Sequence, residues 1–514
     1  MAAYIARRLA MMIPTLVGIT LLVFMLIALS PGGIGAGLRV SGGQMEASKA
    51  AQLEAYLEDR YGLDDPVLMQ YLRWLGRISP VKFGGRDQVT PAGEIIRTPK
   101  AVKPLFLGDS WFDGLELDGT ARARVAAAPV PGPMLDAAQT IDEHKAATRA
   151  YASARADYVL ATRALKDAVT RYAEETGIAG AVDRDGKPVE AALGRYEPDT
   201  TAPSWQPVQA AALKTLEAYE LAVAARTRLE RVFAAKPYPE VGLPVLPGLL
   251  SVGPPDFGVA FSRGRPVVDL IAAALPVTML LNIIAIPIIY MIAIPTGMLA
   301  AVRRGTIWDV ATGALFVALW SVPTVWAGTL AIGYLANKQY LGLFPVSGLH
   351  DSAASSYLFL PSRTADGTFA PGYLLDLLWH LVLPVSCLVY AGFAVLAKQT
   401  RAAMLDNLSA DYVRTARAKG VPTRAVIFRH VFRNSLLPLI TMFVSVFPAM
   451  LAGSVVIERI FSVPGMGSLI IEAINLRDRE LILANTLMIA CVNLMALLLA
   501  DILYALADPR VSYD

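Results

Sequence analysis

The chain alternates between long apolar runs and polar connections of very unequal length. Apolar runs at 9–30, 277–302, 310–334, 377–397, 436–457 and 482–503 each reach about 20 residues or more and carry no charge at their centres. At 1.5 Å per residue the first covers about 33 Å, enough to cross the hydrocarbon core of a bilayer. Six such runs predict six transmembrane helices. The first is longer than the apolar core of a cleaved secretion signal, so it is expected to stay as a span. The polar positions then orient the set. Arg7 and Arg8 precede the first run, and Arg303 and Arg304 sit in the second connection. Lys398, Arg401, Arg414, Arg417, Lys419, Arg424, Arg429 and Arg433 fall between the fourth and fifth runs, opposed only by Asp406 and Asp411. Lys and Arg concentrate on the cytoplasmic side. With the N-terminus inside, all three basic stretches fall there, as does the C-terminal Asp508-Pro509-Arg510.

Within the runs, prolines are frequent: Pro14, Pro276, Pro287, Pro295, Pro323, Pro384 and Pro448 at or inside their ends. Each frees a backbone carbonyl that must find another partner in lipid. Bent helices around a wet cavity and simple packing kinks are both open. Polar residues are few (Asn282, Ser321, Asn485, Asn493) and either line a pathway or bond across helices. Asp501 lies near the cytoplasmic end of the last run, where snorkelling or a neighbouring arginine satisfies it.

The connection from 31 to 276 has its own pattern. Residues 45–78 read as an amphipathic helix broken at Tyr61-Gly62-Leu63-Asp64-Asp65-Pro66, and 80–133 reads as irregular. From 135 to 176 one heptad seam carries His144, Tyr151, Tyr158, Leu165 and Tyr172, and a second carries Ala147, Ala154, Ala161 and Ala168. Large residues facing alanines describe a close-packed helical face. After a turn-rich stretch at 183–188, a second helix is predicted over 207–235, with Val208, Ala212, Leu216, Tyr219, Ala222, Leu229 and Phe233 at helical spacing. An antiparallel hairpin over about 135–236 follows, either as a spacer or as a contact surface for an external partner.

Composition agrees with the runs. Of 514 residues, 55% are hydrophobic and 17% charged, which marks a membrane protein. A net charge of +3 gives no argument for a nucleic-acid partner. Cys387 and Cys491 read as small buried hydrophobes, and the four scattered histidines lack ligand spacing. No phosphate-binding loop is present, since Gly186-Lys187 is followed by Pro188, and no nucleophile–base set appears. The expectation is a non-catalytic protein with no cofactor or metal of its own.

The basic stretch Asp411-Tyr412 to Leu437-Pro438 is the most informative connection. An alanine-rich helix with Ala416 and Ala418 can approach a groove closely, and Gly420 with Pro422 ends it sharply. Docking to a cytoplasmic protein and binding of anionic lipid head groups are both compatible with its charge.

Several segments, in order, resemble the inner-membrane permease subunit of dipeptide/oligopeptide-type ABC importers. They are Tyr4-Ile5-Ala6-Arg7-Arg8-Leu9 with Ile13-Pro14-Thr15-Leu16, Ser30-Pro31-Gly32-Gly33, and Tyr61-Gly62-Leu63-Asp64-Asp65-Pro66 with Gln70-Tyr71-Leu72-Arg73-Trp74-Leu75. Asp256-Phe257-Gly258 with Ser262-Arg263-Gly264-Arg265-Pro266-Val267 and Leu341-Gly342-Leu343-Phe344-Pro345-Val346-Ser347-Gly348 follow. Phe461-Ser462-Val463-Pro464-Gly465-Met466-Gly467 and Ala507-Asp508-Pro509-Arg510 complete the pattern. The resemblance covers about 1–80 and 250–514; the usual pattern lacks the insert between them.

The resemblance implies an all-α membrane protein with six transmembrane helices of the type I ABC importer permease fold; the periplasmic helical-hairpin insert is expected from the heptad pattern and is not part of the resemblance. Together they divide the chain into a first span at 1–30, an outer amphipathic region at 31–79, an insert at 80–255 and a core at 256–514. The resemblance also implies a coupling helix at about 409–435, where Tyr412, Arg414, Thr415, Ala416, Ala418, Gly420 and Arg424 would contact ATPase subunits. Arg414-Thr415-Ala416 takes the place of the family's Glu-Ala-Ala signature, so the acidic contact is replaced by a basic one. Implied partners are two ATPase subunits that bind the ATP, a second homologous permease chain, an extracytoplasmic solute-binding protein and the lipid bilayer of a bacterial cytoplasmic membrane. The implied solute is a peptide or peptide-like molecule, with nickel or oligosaccharide as alternatives in the same branch. An ATP-independent carrier would instead show internal repeats or charged mid-span relays, and a membrane anchor would leave the basic segment unexplained.

Overall fold

The computed structural model describes residues 2–29, 47–62, 65–91, 95–104, 137–178, 198–246, 248–260, 262–363 and 369–507, with 117, 119, 180–182, 188–189 and 193 between them. The turn at 183–187, the Ser30-Pro31-Gly32-Gly33 segment and Asp508-Pro509-Arg510 lie outside the described residues. The chain forms two compact units, Met1–Leu38 with Phe257–Asp514, and Arg39–Asp256.

Helix α1 (Ala2–Leu29) is the first apolar run. In the Arg39–Asp256 unit, α2 (Ala47–Tyr61) and α3 (Val67–Ile78) flank the expected break. The hairpin is α4 (Ala137–Thr176) and α5 (Trp205–Ala234), and its antiparallel course is fixed by Tyr172 against Trp205 at one end and Arg228 against Glu143 at the other. On α4 the predicted seams are the buried face: His144, Ala147, Tyr151, Tyr158, Ala161, Leu165, Ala168 and Tyr172. On α5 Val208, Ala212, Ala222 and Leu229 are buried as the spacing predicts, while Thr215, Ala218 and Val232 are buried in place of their neighbours Leu216, Tyr219 and Phe233, which are half-buried. Small residues take the closest positions because two helices joined by alanines approach nearer than large side chains permit. Thr215 sits at this contact and donates to the Ala161 carbonyl at 3.1 Å.

The stretch expected to be irregular contains short strands. β1 (Val81–Phe83) pairs antiparallel with Leu250–Val252, which also pairs with Leu243–Leu246; Gln88–Val89 pairs with Ile95–Ile96. Strands of two to four residues are too short to show alternation. One partner of β1 lies far downstream, beyond any local pattern.

The other unit is a helical bundle. α6 (Val267–Val302) holds Pro276, Pro287 and Pro295, and it is followed by α7 (Ile307–Ser321) and α8 (Thr324–Leu330). The run at 310–334 is therefore not one straight span: it bends by 85° at Val322-Pro323. Pro323 cannot donate to the Leu319 carbonyl, which accepts from the Val322 amide at 3.3 Å, and at the bend the Val322 carbonyl accepts from the Tyr390 hydroxyl at 3.1 Å. Among the described residues five helices are long and apolar enough to cross a membrane, and six if this bent pair counts as one span.

α9 (Gly372–Leu408) continues eleven residues past the predicted end at 397. It runs parallel to α6, and glycines set their closest approaches. A Cβ on Gly297 would stand 2.5 Å from the Ala397 carbonyl oxygen, and one on Gly392 would stand 2.6 Å from Ile289. The basic connection forms α10 (Asp411–Ala418) and α11 (Thr423–Ala425), which continues as a π-helix over Val426–Phe432. α12 (Leu436–Ala452), α13 (Val455–Ile460), α14 (Met466–Asn475) and α15 (Arg479–Ala507) complete the bundle. Cys387 is buried as expected, but Cys491 is exposed on α15, because its side chain falls on the bundle's outer surface.

Polar anchors gather at the two poles of this bundle. At one pole Tyr4 donates to Asp501 at 2.8 Å and Arg8 pairs with the same carboxylate at 3.0 Å, so a neighbouring arginine does satisfy Asp501. There too Arg401 grips Asp309 through two bonds of 2.7 and 2.9 Å. At the other pole Glu458 is fully buried, accepting from Thr278 at 2.8 Å and from the Ser468 amide at 2.9 Å. Asp478, Arg479 and Glu480 are equally buried at the head of α15, with Arg479 bonded to Glu480 and stacked 5.4 Å from the Phe24 ring. Such groups survive burial because each is hydrogen-bonded, and Arg479 is paired with Glu480.

Candidate functional site

α10 is amphipathic over only eight residues. Val413 and Ala416 are buried and pack with Met298 and Ala301 at the end of α6, Met404 on α9, and Val426 and Val431 on the returning π-helix. The opposite face is open: Arg414, Thr415, Arg417, Ala418 and Lys419 are exposed. Ala416 therefore faces the chain's own core, and it is Ala418 that is free to meet a groove. Their different fates follow from helical geometry, since positions three apart share a face and positions two apart do not.

The end of the helix is set by backbone chemistry. Gly420 takes φ +76°, a left-handed conformation that glycine adopts without penalty. Its amide donates to the Arg417 carbonyl at 3.0 Å and the next amide, of Val421, to Ala416 at 3.2 Å. These bonds close the helix C-terminus. Pro422 then starts the second helical segment, and Pro422, Arg424, Ala425 and Phe428 line an open hollow beside α10. Phe428 is 55% exposed there and shares the hollow's lining with Arg424.

Tyr412 connects this surface to the bundle. Its hydroxyl donates to the Asn407 side-chain carbonyl at 2.6 Å, and the Asn407 amide donates to the Ala403 carbonyl at 2.9 Å and to Ser435 Oγ at 3.1 Å. The Ser435 hydroxyl is fully buried and in turn reaches the Ala403 carbonyl at 3.0 Å. One short relay thus joins the start of α10, the end of α9 and the start of α12. The Arg414–Asp411 pair at 3.5 Å is solvent-exposed on both sides and contributes little. Sequence reasoning had singled out all the residues of the basic face but neither Asn407, Ser435 nor Phe428. The first two have no signature in a lone sequence; an exposed phenylalanine within a basic run was the available signal for the third.

Several apolar helices with a short amphipathic helix seated on their ends form the architecture of a multi-pass membrane transport protein. Residues 293–513 match the family described as "Binding-protein-dependent transport system inner membrane component". The chain is similar to the oligopeptide transport system permease protein AppB of Bacillus subtilis, 39% identical over half of this chain and 76% of that protein. It is also similar to the inner membrane ABC transporter permease protein YejB of Escherichia coli O157:H7, at 35% over 50% and 68% of the two chains. The di/tripeptide transport system permease protein DppB of Pseudomonas aeruginosa is 36% identical over 46% and 71%. The chain belongs to the binding-protein-dependent transport system inner membrane component family. The Arg39–Asp256 unit lies outside the matched residues.

Proposed function

We propose that the chain is a permease subunit of an ATP-driven, binding-protein-dependent importer of peptides, and that α10 with the hollow beside it receives an ATPase subunit. The names of the relatives, which are oligopeptide and di/tripeptide permeases, support the solute class. The single observation that carries docking is the division of α10 into a buried Val413/Ala416 face and an open face of cations and Ala418. The inward half seats the helix on the ends of α6 and α9. The outward half, with Arg424 and Phe428, presents charge around an apolar notch, which suits an acidic-rimmed protein surface.

In this reading two ATPase subunits close on ATP and push two such helices, one on each of two homologous permease chains. The push passes through the Tyr412–Asn407–Ser435 relay and the Val413/Ala416 contact into α9, α12 and α6, opening a central pathway outward. A solute-binding protein delivers the peptide outside, and hydrolysis resets the pathway inward. ATP and the loaded binding protein each bias one two-state equilibrium. The chain itself performs no chemistry. The basic pole, with Arg8, Arg303, Arg304 and α10, faces the cytoplasm, and the Arg39–Asp256 unit lies outside.

Ala418→Trp and Arg424→Glu test the docking surface. The expected result is a normal amount of folded protein in the membrane, with co-purification of the ATPases and peptide-stimulated ATP hydrolysis each reduced at least about tenfold. Unchanged assembly and uptake in both variants would sink the assignment. Labelling of introduced cysteines at 303 and 418 from the cytoplasmic side only is the matching test of orientation.

A further inference from the structure

The Arg39–Asp256 unit contains a cavity of about 550 Å³, within the size range of small-molecule sites. Apolar lining comes from Ala55, Ile96 and Leu229, and aromatic faces from Tyr56, Tyr151 and His144. Its charge is lopsided. Seven cationic side chains line it against two carboxylates, Asp59 and Asp87. Further carboxylates hold some of the cations from outside the lining. Arg73 and Lys100 each reach Asp65 at 2.9 Å, Arg97 lies between Asp87 at 2.9 Å and Asp256 at 3.3 Å, and Arg155 reaches Glu58 at 3.0 Å. Lys82 is bonded to the carbonyls of Gly76 and Arg77, not to a carboxylate. Burial, and then Arg97 beside it, push the Lys82 ammonium below its ordinary value. An anion entering this space would favour the charged form of Lys82.

We propose that this cavity binds a small polyvalent oxyanion, a molecule carrying two or more ionised carboxylate or phosphate groups, with Lys82 and Arg97 as its main charge contacts. Guanidinium forks match the planar oxygens of such groups, and the aromatic lining accommodates a carbon skeleton. The site is independent of the docking surface on α10, so it gives the extra unit a ligand-binding role whether or not that docking holds.

The test uses the full-length chain in nanodiscs of neutral phosphatidylcholine, titrated by calorimetry with citrate, inorganic pyrophosphate and, as a neutral control, glucose. Saturable binding of citrate, pyrophosphate or both is expected, with none of glucose. Binding of one anion only assigns carboxylate or phosphate chemistry. Lys82→Glu should weaken that binding at least about tenfold, while Lys145→Glu, on the solvent face of α4, leaves it unchanged. Arg97→Gln, which keeps a polar group of similar length, should weaken it in the same direction. Two results would overturn the proposal. One is the absence of saturable binding at millimolar anion. The other is wild-type affinity in a Lys82→Glu protein whose circular dichroism and gel-filtration profile are unchanged.

Discussion

Ser435 is fully buried where α12 begins, and its hydroxyl joins the Asn407 amide to the Ala403 carbonyl. Replacing it with valine adds a methyl to a fully buried site and removes one bond each from the Asn407 amide and the Ala403 carbonyl, which still bond each other at 2.9 Å. Ser435→Val is expected to cost about 1–3 kcal/mol, read as a lowered thermal transition in detergent, and Ser435→Thr should recover most of it. A different residue-scale effect belongs to His144, which sits edge-on to Tyr238 at 5.2 Å. Burial pushes its imidazole below the ordinary value of 6.5. The folded state therefore keeps it neutral while the unfolded chain takes up a proton as pH falls through that ordinary value. Stability is fully present above 6.5 and declines below it, down to the depressed folded pKa. Asp59, whose carboxyl is pushed up by burial, works in the opposite sense from its ordinary value of 3.8 upward. The difference between wild type and His144→Asn isolates the histidine. With the intrinsic slowing of exchange in acid divided out, the opening free energy of the α4 amides should fall on acidification from neutral pH in the wild type, and less in the variant. An equal fall in both would remove His144 as the cause.

At the scale of elements, local periodicity explains what the sequence made legible. The α4 seams are readable because large residues and alanines recur every seven positions within one helix. The first span is readable because its length alone exceeds a bilayer. Non-local information decides the rest. Along α5 four predicted positions hold, but Thr215 and Ala218 are buried instead of Leu216 and Tyr219 because the partner helix selects small residues there. At the bend the Val322 carbonyl is bonded by Tyr390, which lies on another helix. Of the candidate site, charge and the Gly420 stop were legible, but the buried side of Ala416 was not, since an alanine carries no polarity to show which way it faces. The α6–α9 contact makes a prediction at this scale. Gly297→Leu would drive a side chain into the Ala397 carbonyl and Thr400, whose Cβ is only 2.8 Å from the new Cβ. Backbone on both sides cannot yield, so the expected result is loss of folded protein from the membrane. Gly313→Leu, whose Cβ meets nothing within 4 Å, should be tolerated.

For the whole molecule the division into two units sets the terms on which the insert can be removed. A cut at about 100–240 would separate the hairpin from α2, which it holds through Arg155–Glu58 and Tyr151–Asp59. It would also remove residues around Gln88, whose amide reaches the Phe233 carbonyl at 2.9 Å from the far side of the hairpin. Such a deletion leaves half a folded unit with its apolar contacts exposed, among them Ala51 and Ala55, which pack on Ala156 and Val159. The natural boundary instead follows the unit itself, Arg39–Asp256. The bundle's own pole is closed without it: Glu458 is bonded by Thr278 and Ser468, and Asp478 by Ser262, all within residues 257–514. Replacement of 39–256 by a long Gly/Ser linker should therefore leave a membrane-inserted bundle whose thermal transition is close to that of the full chain. The 100–240 deletion should be lost to proteolysis. The cavity proposal adds a second readout, because the linker variant must lose all anion binding while retaining co-purification with the ATPases. A linker variant that fails to accumulate in the membrane would show that the bundle depends on the Arg39–Asp256 unit for its fold.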